Sequence, residues 1–293
     1  MLVVAALAAG CSSNTVPILP QVTSTLMTSS SGRTYQVSVA LPDGYANTHA
    51  PYPVLYAADA NGQYGTVVET ARNLSFSQQI PDLVIVGIGY ANPGYSYKAS
   101  GNPRSFDMTP TADAAWVRDF ANESIAQGVP PPEKSGGAPE FLGFLRSQLI
   151  PRIEQTYNVS HDDRGWYGHS FGGLLGTYLL LNANDVFKRF VIGSPSLWWD
   201  HRVMFDMEKS FAKKSKALPA RAFFSVGGLE QDLAPKYPMV SDLKAFVEVL
   251  GQRHYQGFTF TTQVFEDENH LSVVPATISR GLRFVYDERQ GAR

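Results

Sequence analysis

The chain has 293 residues, 44% of them hydrophobic, with 24 basic and 26 acidic side chains and a formal net charge of −2 at pH 7. This length accommodates one large α/β domain or two small ones, and a substantial core. So even a charge balance provides no global field for nucleic acid or an acidic membrane surface, and no nucleic-acid partner is expected.

Residues 1–11 read as a lipoprotein-type signal segment. The apolar run from Leu2 to Gly10 is too short to span a bilayer, and small residues lead into Cys11, the single cysteine. The expectation is lipidation at Cys11 and a periplasmic or outer-membrane lipoprotein of a bacterium, touching the membrane only through that anchor. A lone cysteine has no disulfide partner, and no metal or other cofactor is expected. Residues 12–22 form a polar leader, and residues 23–293 a single domain.

Thr23 to Met27 and Tyr35 to Leu41 alternate like an antiparallel hairpin, with Ser29 to Gly32 as the turn. Pro53 to Ala57 reads as a buried parallel strand, followed by a loop at Asp59-Ala60-Asn61-Gly62 and a helix from Val67 to Phe76. Leu83 to Gly89 is the next buried strand. From Ala91 to about Pro139 the chain is rich in Gly, Pro, Ser, Tyr and Asn, which predicts a loop-rich insertion over the active site, with a short helix near Ala112 to Phe120. Apolar spacing predicts a helix over Glu140 to Tyr157. Strands at Arg164 to Tyr167, Phe190 to Ile192, Arg221 to Val226 and Phe258 to Phe265 alternate with helices at Gly173 to Leu181, Arg202 to Lys214, Ser241 to Leu250 and Val274 to Tyr286. The pattern predicts an α/β fold: a mostly parallel, doubly wound sheet with antiparallel N-terminal strands, and ligands at the strands' C-terminal ends.

The motif that organises the chain is Gly168-His169-Ser170-Phe171-Gly172-Gly173. A strand before and a helix after it make this G-x-S-x-G a nucleophile elbow, whose sharp turn leaves no room for side chains at the flanking glycines. A serine hydroxyl is a poor nucleophile until a base takes its proton, and the base needs a third group to orient it. Among six histidines, His270 follows the last strand and gives the chain order serine, acid, histidine. His169 is expected to point inward beside the nucleophile. For the acid, Glu230 and Asp232 share the loop after Arg221 to Val226. Two glycines and a longer side chain favour Glu230, with Asp232 as the alternative. Backbone N–H groups of Phe171 and Asn61 are the expected oxyanion hole. Asp59 is expected to brace its loop. Trp198 and Trp199 either line an acyl or aryl pocket or pack under a loop, and Arg104 either holds an anionic substrate or braces the insertion through Asp107.

From about Thr34 to Tyr286 the chain resembles the esterase D-type branch of the α/β-hydrolases, nearest to the bacterial siderophore trilactone esterases. The resemblance rests on the Pro-Val-Leu-Tyr strand with Asp59, on Arg104 with Asp107-Met108-Thr109-Pro110, and on the Gly168 to Gly173 elbow. It also rests on Ser194-Pro195-Ser196-Leu197-Trp198-Trp199, on Glu230 and on Asn269-His270. Two departures, Ala60 where relatives usually carry glycine and the insertion's own composition, bear on the substrate. The resemblance implies an α/β-hydrolase fold and a serine carboxylic ester hydrolase working through an acyl-enzyme, with Ser170 as nucleophile, His270 as base and Glu230 as acid. Its implied small-molecule substrate is a catecholate trilactone siderophore. The alternatives are a broad short-chain, carbohydrate-acyl or feruloyl esterase, an acyltransferase, or a non-catalytic binding lipoprotein on a hydrolase fold.

Overall fold

The computed structural model describes residues 19–47, 49–91, 103–126, 131–132 and 134–287. Cys11 with the 1–11 signal segment, most of the polar leader, and the insertion's 92–102 and 127–130 stretches lie outside them. Among the described residues no helix is long and apolar enough to cross a membrane.

Eight strands form one sheet in the order β1-β2-β4-β3-β5-β6-β7-β8. They are β1 (Val22–Thr28), β2 (Thr34–Ala40), β3 (Tyr52–Ala57), β4 (Val84–Tyr90), β5 (Val159–His169), β6 (Arg189–Gly193), β7 (Ala217–Gly227) and β8 (Gln256–Phe265). β1 and β2 are antiparallel, β2 is antiparallel to β4, and every pair from β4 onward is parallel. The order reverses at β3, which has β4 on one side and β5 on the other, so the crevice of such a sheet opens at the C-terminal ends of β3 and β5.

The parallel strands are buried on both faces, which explains their continuous apolar runs. On one face α1 (Ala60–Phe76) and α9 (Val274–Val285) cover Leu55, Ile85, Tyr167, Val191 and Phe223. On the other, Tyr56, Trp166, Phe190 and Phe224 pack beneath α5 (Phe171–Asn182), α6 (Trp199–Lys214) and α8 (Met239–Arg253). Val274–Val285 buries one face, whereas eleven residues of Phe171–Asn182 are buried all round. α2 (Ala114–Ala126) extends the short helix expected in the insertion, and α7 is the single turn Glu230–Leu233. The helix predicted over Glu140 to Tyr157 is α3 (Ala138–Phe144) and α4 (Ile150–Thr156), joined through a π-helical turn at Leu145–Leu149.

The described parts of the insertion are pinned to the body by a cation and an acid. Phe106 lies between the Arg33 guanidinium, 4.2 Å from its ring centre, and the Lys134 ammonium, 4.1 Å away. Its neighbour Asp107 is only 1% exposed, with Arg33 Nε 3.6 Å from Oδ1. Burial is the largest influence and raises the Asp107 pKa from 3.8 to about 6, against the lowering effect of Arg33. Below pH 4 the carboxyl is neutral whether folded or unfolded; between pH 4 and 6 the unfolded chain ionises first, so this group costs the fold stability as pH rises. Relative to Asp107→Asn, wild-type stability is expected to fall by on the order of 2 kcal/mol between pH 4 and pH 7 in urea titrations.

Candidate active site

β5 ends at His169 and α5 begins at Phe171, leaving Ser170 to make the whole turn with φ 61° and ψ −119°. A non-glycine residue in that region is strained and persists only where its surroundings over-determine it. Here the Ser170 N–H donates to the Gly193 carbonyl at 3.0 Å, and the Ser170 carbonyl accepts from Leu174 N–H at 2.9 Å. A Cβ on Gly168 would lie 2.0 Å from the Gly172 oxygen, and one on Gly173 would lie 2.5 Å from the Gly193 oxygen. These approaches explain in atoms why the motif carries glycine where it does.

A second helix starts beside this one. The Ala58 N–H donates to the Tyr167 carbonyl at 3.0 Å, and Asp59, with φ 55°, turns the chain at once into α1. The expected loop at Asp59 to Gly62 is therefore corrected: Ala60, Asn61 and Gly62 form the first helical turn, because the left-handed Asp59 leaves no connecting residues. The Asn61 side chain clamps the end of β4, its Oδ1 accepting from Tyr90 N–H at 2.6 Å and its Nδ2 donating to the Tyr90 carbonyl at 3.0 Å. Two helix N-termini thus open at neighbouring strand ends, where unpaired N–H groups and helix dipoles favour negative charge.

Arg104 reaches this corner and donates to both Asp59 oxygens, at 2.6 and 3.0 Å, and to the His169 carbonyl at 3.1 Å. It braces the insertion, as one of the two expectations held, but through Asp59 rather than Asp107. Its side chain is 12% exposed, and a charge matched bidentately to a buried carboxylate is not offered to an anionic substrate.

His270 Nδ1 lies 2.7 Å from Glu230 Oε2. Glu230 is 2% exposed, and its Oε1 accepts from Gly227 N–H at 2.7 Å and from the Ser194 hydroxyl at 2.6 Å. Asp232, the alternative acid, is exposed on the outside of the same turn. The two loops interlock: Leu229 N–H donates to the Glu268 carbonyl at 3.1 Å, and a Cβ on Gly227 would meet that oxygen at 2.4 Å. The His270 ring stands 4.6 Å from that of His169, the residue before Ser170, which brings the imidazole to the nucleophile's turn. His169 is buried, and desolvation followed by the neighbouring His270 and Arg104 holds its pKa well below the usual histidine range.

Aromatic rings cluster outward from Phe171, the residue after Ser170. Trp198, partly exposed, lies 6.1 Å from Phe171 and 4.4 Å from Tyr237 between ring centres. Trp116 packs edge-on to Phe171 at 5.4 Å and stacks on Phe120 at 4.7 Å. Trp199 has no exposed surface and donates from Nε1 to the Thr111 carbonyl, so its expected place in a substrate pocket is corrected to packing beneath the insertion. Sequence reasoning missed Trp116, Phe120, Tyr237 and Ser194. Two aromatics four residues apart, and so on one helix face, were the available signal for the first pair.

A serine held on so tight a strand-to-helix turn, at the switch point of a mostly parallel sheet with helices on both faces, defines an α/β-hydrolase. Within that class, the family model described as putative esterase matches residues 28–131 and 107–271, and the chain belongs to that family. The ferri-bacillibactin esterase BesA of Bacillus subtilis is 32% identical over 259 residues, covering 86% of this chain and 84% of that protein. A siderophore triacetylfusarinine C esterase of Aspergillus fumigatus is 27% identical over 285 residues, covering 88% and 90%. The crystal structure of the BES protein from Bacillus cereus superposes with a TM-score of 0.76 at 28% identity, covering 92% of this chain and 97% of that one. The protein is a serine-type carboxylic ester hydrolase.

The glycine geometry separates two substitutions of the same kind. Gly168→Ala forces a side chain into a backbone carbonyl and is expected to cost about 3 kcal/mol or more. Gly65→Ala, inside α1 with nothing within 4 Å of the new methyl, is expected to stabilise by about 0.5–1 kcal/mol. Thermal unfolding of the two variants checks both signs.

Proposed function

We propose that this protein hydrolyses a siderophore trilactone of the catecholate type through an acyl-enzyme on Ser170. The observation that carries the reading is the Glu230–His270 contact of 2.7 Å, set against the ring of His169 at the nucleophile's turn. With Nδ1–H committed to Glu230, His270 Nε2 is the nitrogen left to act as base. The Ser170 Oγ attacks the ester carbonyl while its proton passes to Nε2. The N–H groups of Phe171 and Asn61, each in the first turn of a helix, stabilise the oxyanion. As the tetrahedral intermediate collapses, the C–O bond breaks and the leaving alkoxide takes the proton from His270. Water then attacks the acyl-enzyme with the same base, and the carboxylic acid departs as Ser170 recovers its proton. Glu230 orients the imidazole and stabilises the positive charge it acquires.

The relatives named for siderophore ester cleavage support the substrate class. So does the aromatic lining of Phe120, Trp116, Phe171, Trp198 and Tyr237, which suits aryl rings. Positive charge adds less: Arg104 is paired with Asp59, Arg118 is 70% exposed beside Asp119, and Lys98 lies outside the described residues. The same reading places the enzyme on the periplasmic side of a bacterial membrane, anchored through Cys11, which incorporation of a labelled fatty acid into wild type but not Cys11→Ala would test.

Ser170→Ala and His270→Ala are expected to lower kcat by factors on the order of 10⁶, with folding intact by circular dichroism. Glu230→Gln is expected to lose far more turnover than Asp232→Asn; the reverse order would move the acid to Asp232. For substrate, kcat/KM is compared across a catecholate trilactone, acetylated sugars, feruloyl esters and p-nitrophenyl acetate. The trilactone is expected to be the preferred ester. A trilactone cleaved no better than p-nitrophenyl acetate would replace the siderophore reading with a broader carboxylesterase.

A further inference from the structure

We infer that Ser194 is a positioning residue for ester hydrolysis, its hydroxyl holding the Glu230 carboxylate in the orientation that presents Oε2 to His270. The inference rests on the reading of Ser170, His270 and Glu230 as the catalytic groups. Glu230 receives three donors from three places: Ser194 Oγ–H at the end of β6, Gly227 N–H at the end of β7, and His270 after β8. Gly227 is only three residues away on the acid's own turn, so it moves with Glu230. Ser194 comes from the turn that follows β6, and it ties the carboxylate to the interior of the sheet. A neutral hydroxyl donating to a buried carboxylate makes a charge-assisted bond, stronger than one between neutral groups.

The backbone of Ser194 gives a second, independent reason. It has φ 37° and no exposed surface, with its N–H donating to the Ser225 carbonyl at 2.7 Å. Glycine would adopt that conformation without strain, and what serine has that glycine lacks here is the hydroxyl. The same turn also touches the nucleophile. The Gly193 carbonyl accepts from Ser170 N–H at 3.0 Å, and Ser196 N–H donates to the Ser170 carbonyl at 3.3 Å. One four-residue turn from Gly193 to Ser196 therefore sets the spacing between nucleophile and acid.

The test measures Ser194→Gly and Ser194→Ala in the full chain, alone and combined with Glu230→Gln. Ser194→Gly relieves the backbone strain, so it is expected to unfold at a temperature no lower than wild type while kcat drops about 10- to 100-fold with KM nearly unchanged. Ser194→Ala is expected to lose kcat equally and, keeping the strained backbone, to gain no stability. In the Glu230→Gln background, Ser194→Gly is expected to change kcat less than about twofold, the non-additivity of a residue that acts through Glu230. Wild-type kcat in Ser194→Gly, or a loss that adds in full to that of Glu230→Gln, would overturn the role. If Ser170→Ala retained turnover, the catalytic reading would fall and Ser194 with it. Loss in Ser170→Ala beside wild-type turnover in Ser194→Gly removes the Ser194 role alone.

Discussion

The closeness of three backbones at the Ser170 turn is the constraint on which the rest depends. The turn touches the end of β3 through Ala58 and Tyr167, the end of β6 through Gly193, and its own helix through Gly168 and Gly172. Contacts this short work only where side chains are absent. They leave Ser170 nowhere to relax, and they bring two helix starts into one crevice from opposite faces of the sheet. Everything at the mouth is built outward from that point: Arg104 onto Asp59, the aromatic rings onto Phe171, and the Glu230 and His270 loops against each other.

Charge in the crevice is arranged with similar economy. Asp59 is paired with a bidentate arginine, Glu230 is hydrogen-bonded by three donors, and burial favours the neutral form of His169. A neutral His169 matters because a second cation 4.6 Å from His270 would oppose the positive charge that a base acquires during turnover. Behind His270 stands the buried Glu230 carboxylate.

Much of this was legible in the chain, for identifiable reasons. Parallel strands buried on both faces announce themselves as short apolar runs, and the elbow glycines report a local steric demand, so the sheet and Ser170 could be read directly. Glu230 was favoured over Asp232 because two glycines tighten the turn that carries it, and it is the residue found 2.7 Å from His270. The start of α1 was lost because a left-handed aspartate, rather than a visible run of turn residues, makes the connection. Trp198 and Trp199 look alike in sequence, yet the start of α6 turns one toward the crevice and sends the other beneath the insertion. The partner of Arg104 lies 45 residues away, and no local pattern distinguishes Asp59 from Asp107 as its counter-ion.

The two helix starts that meet at the crevice belong to different layers. α1 is seated in the core on one face of the sheet and α5 in the core on the other. Their relative height is set by the sheet between them and by no direct bond joining the first-turn N–H groups of Phe171 and Asn61. Each start is anchored in its own layer, so core packing on either face of the sheet bears on the spacing of the two first-turn N–H groups at the crevice.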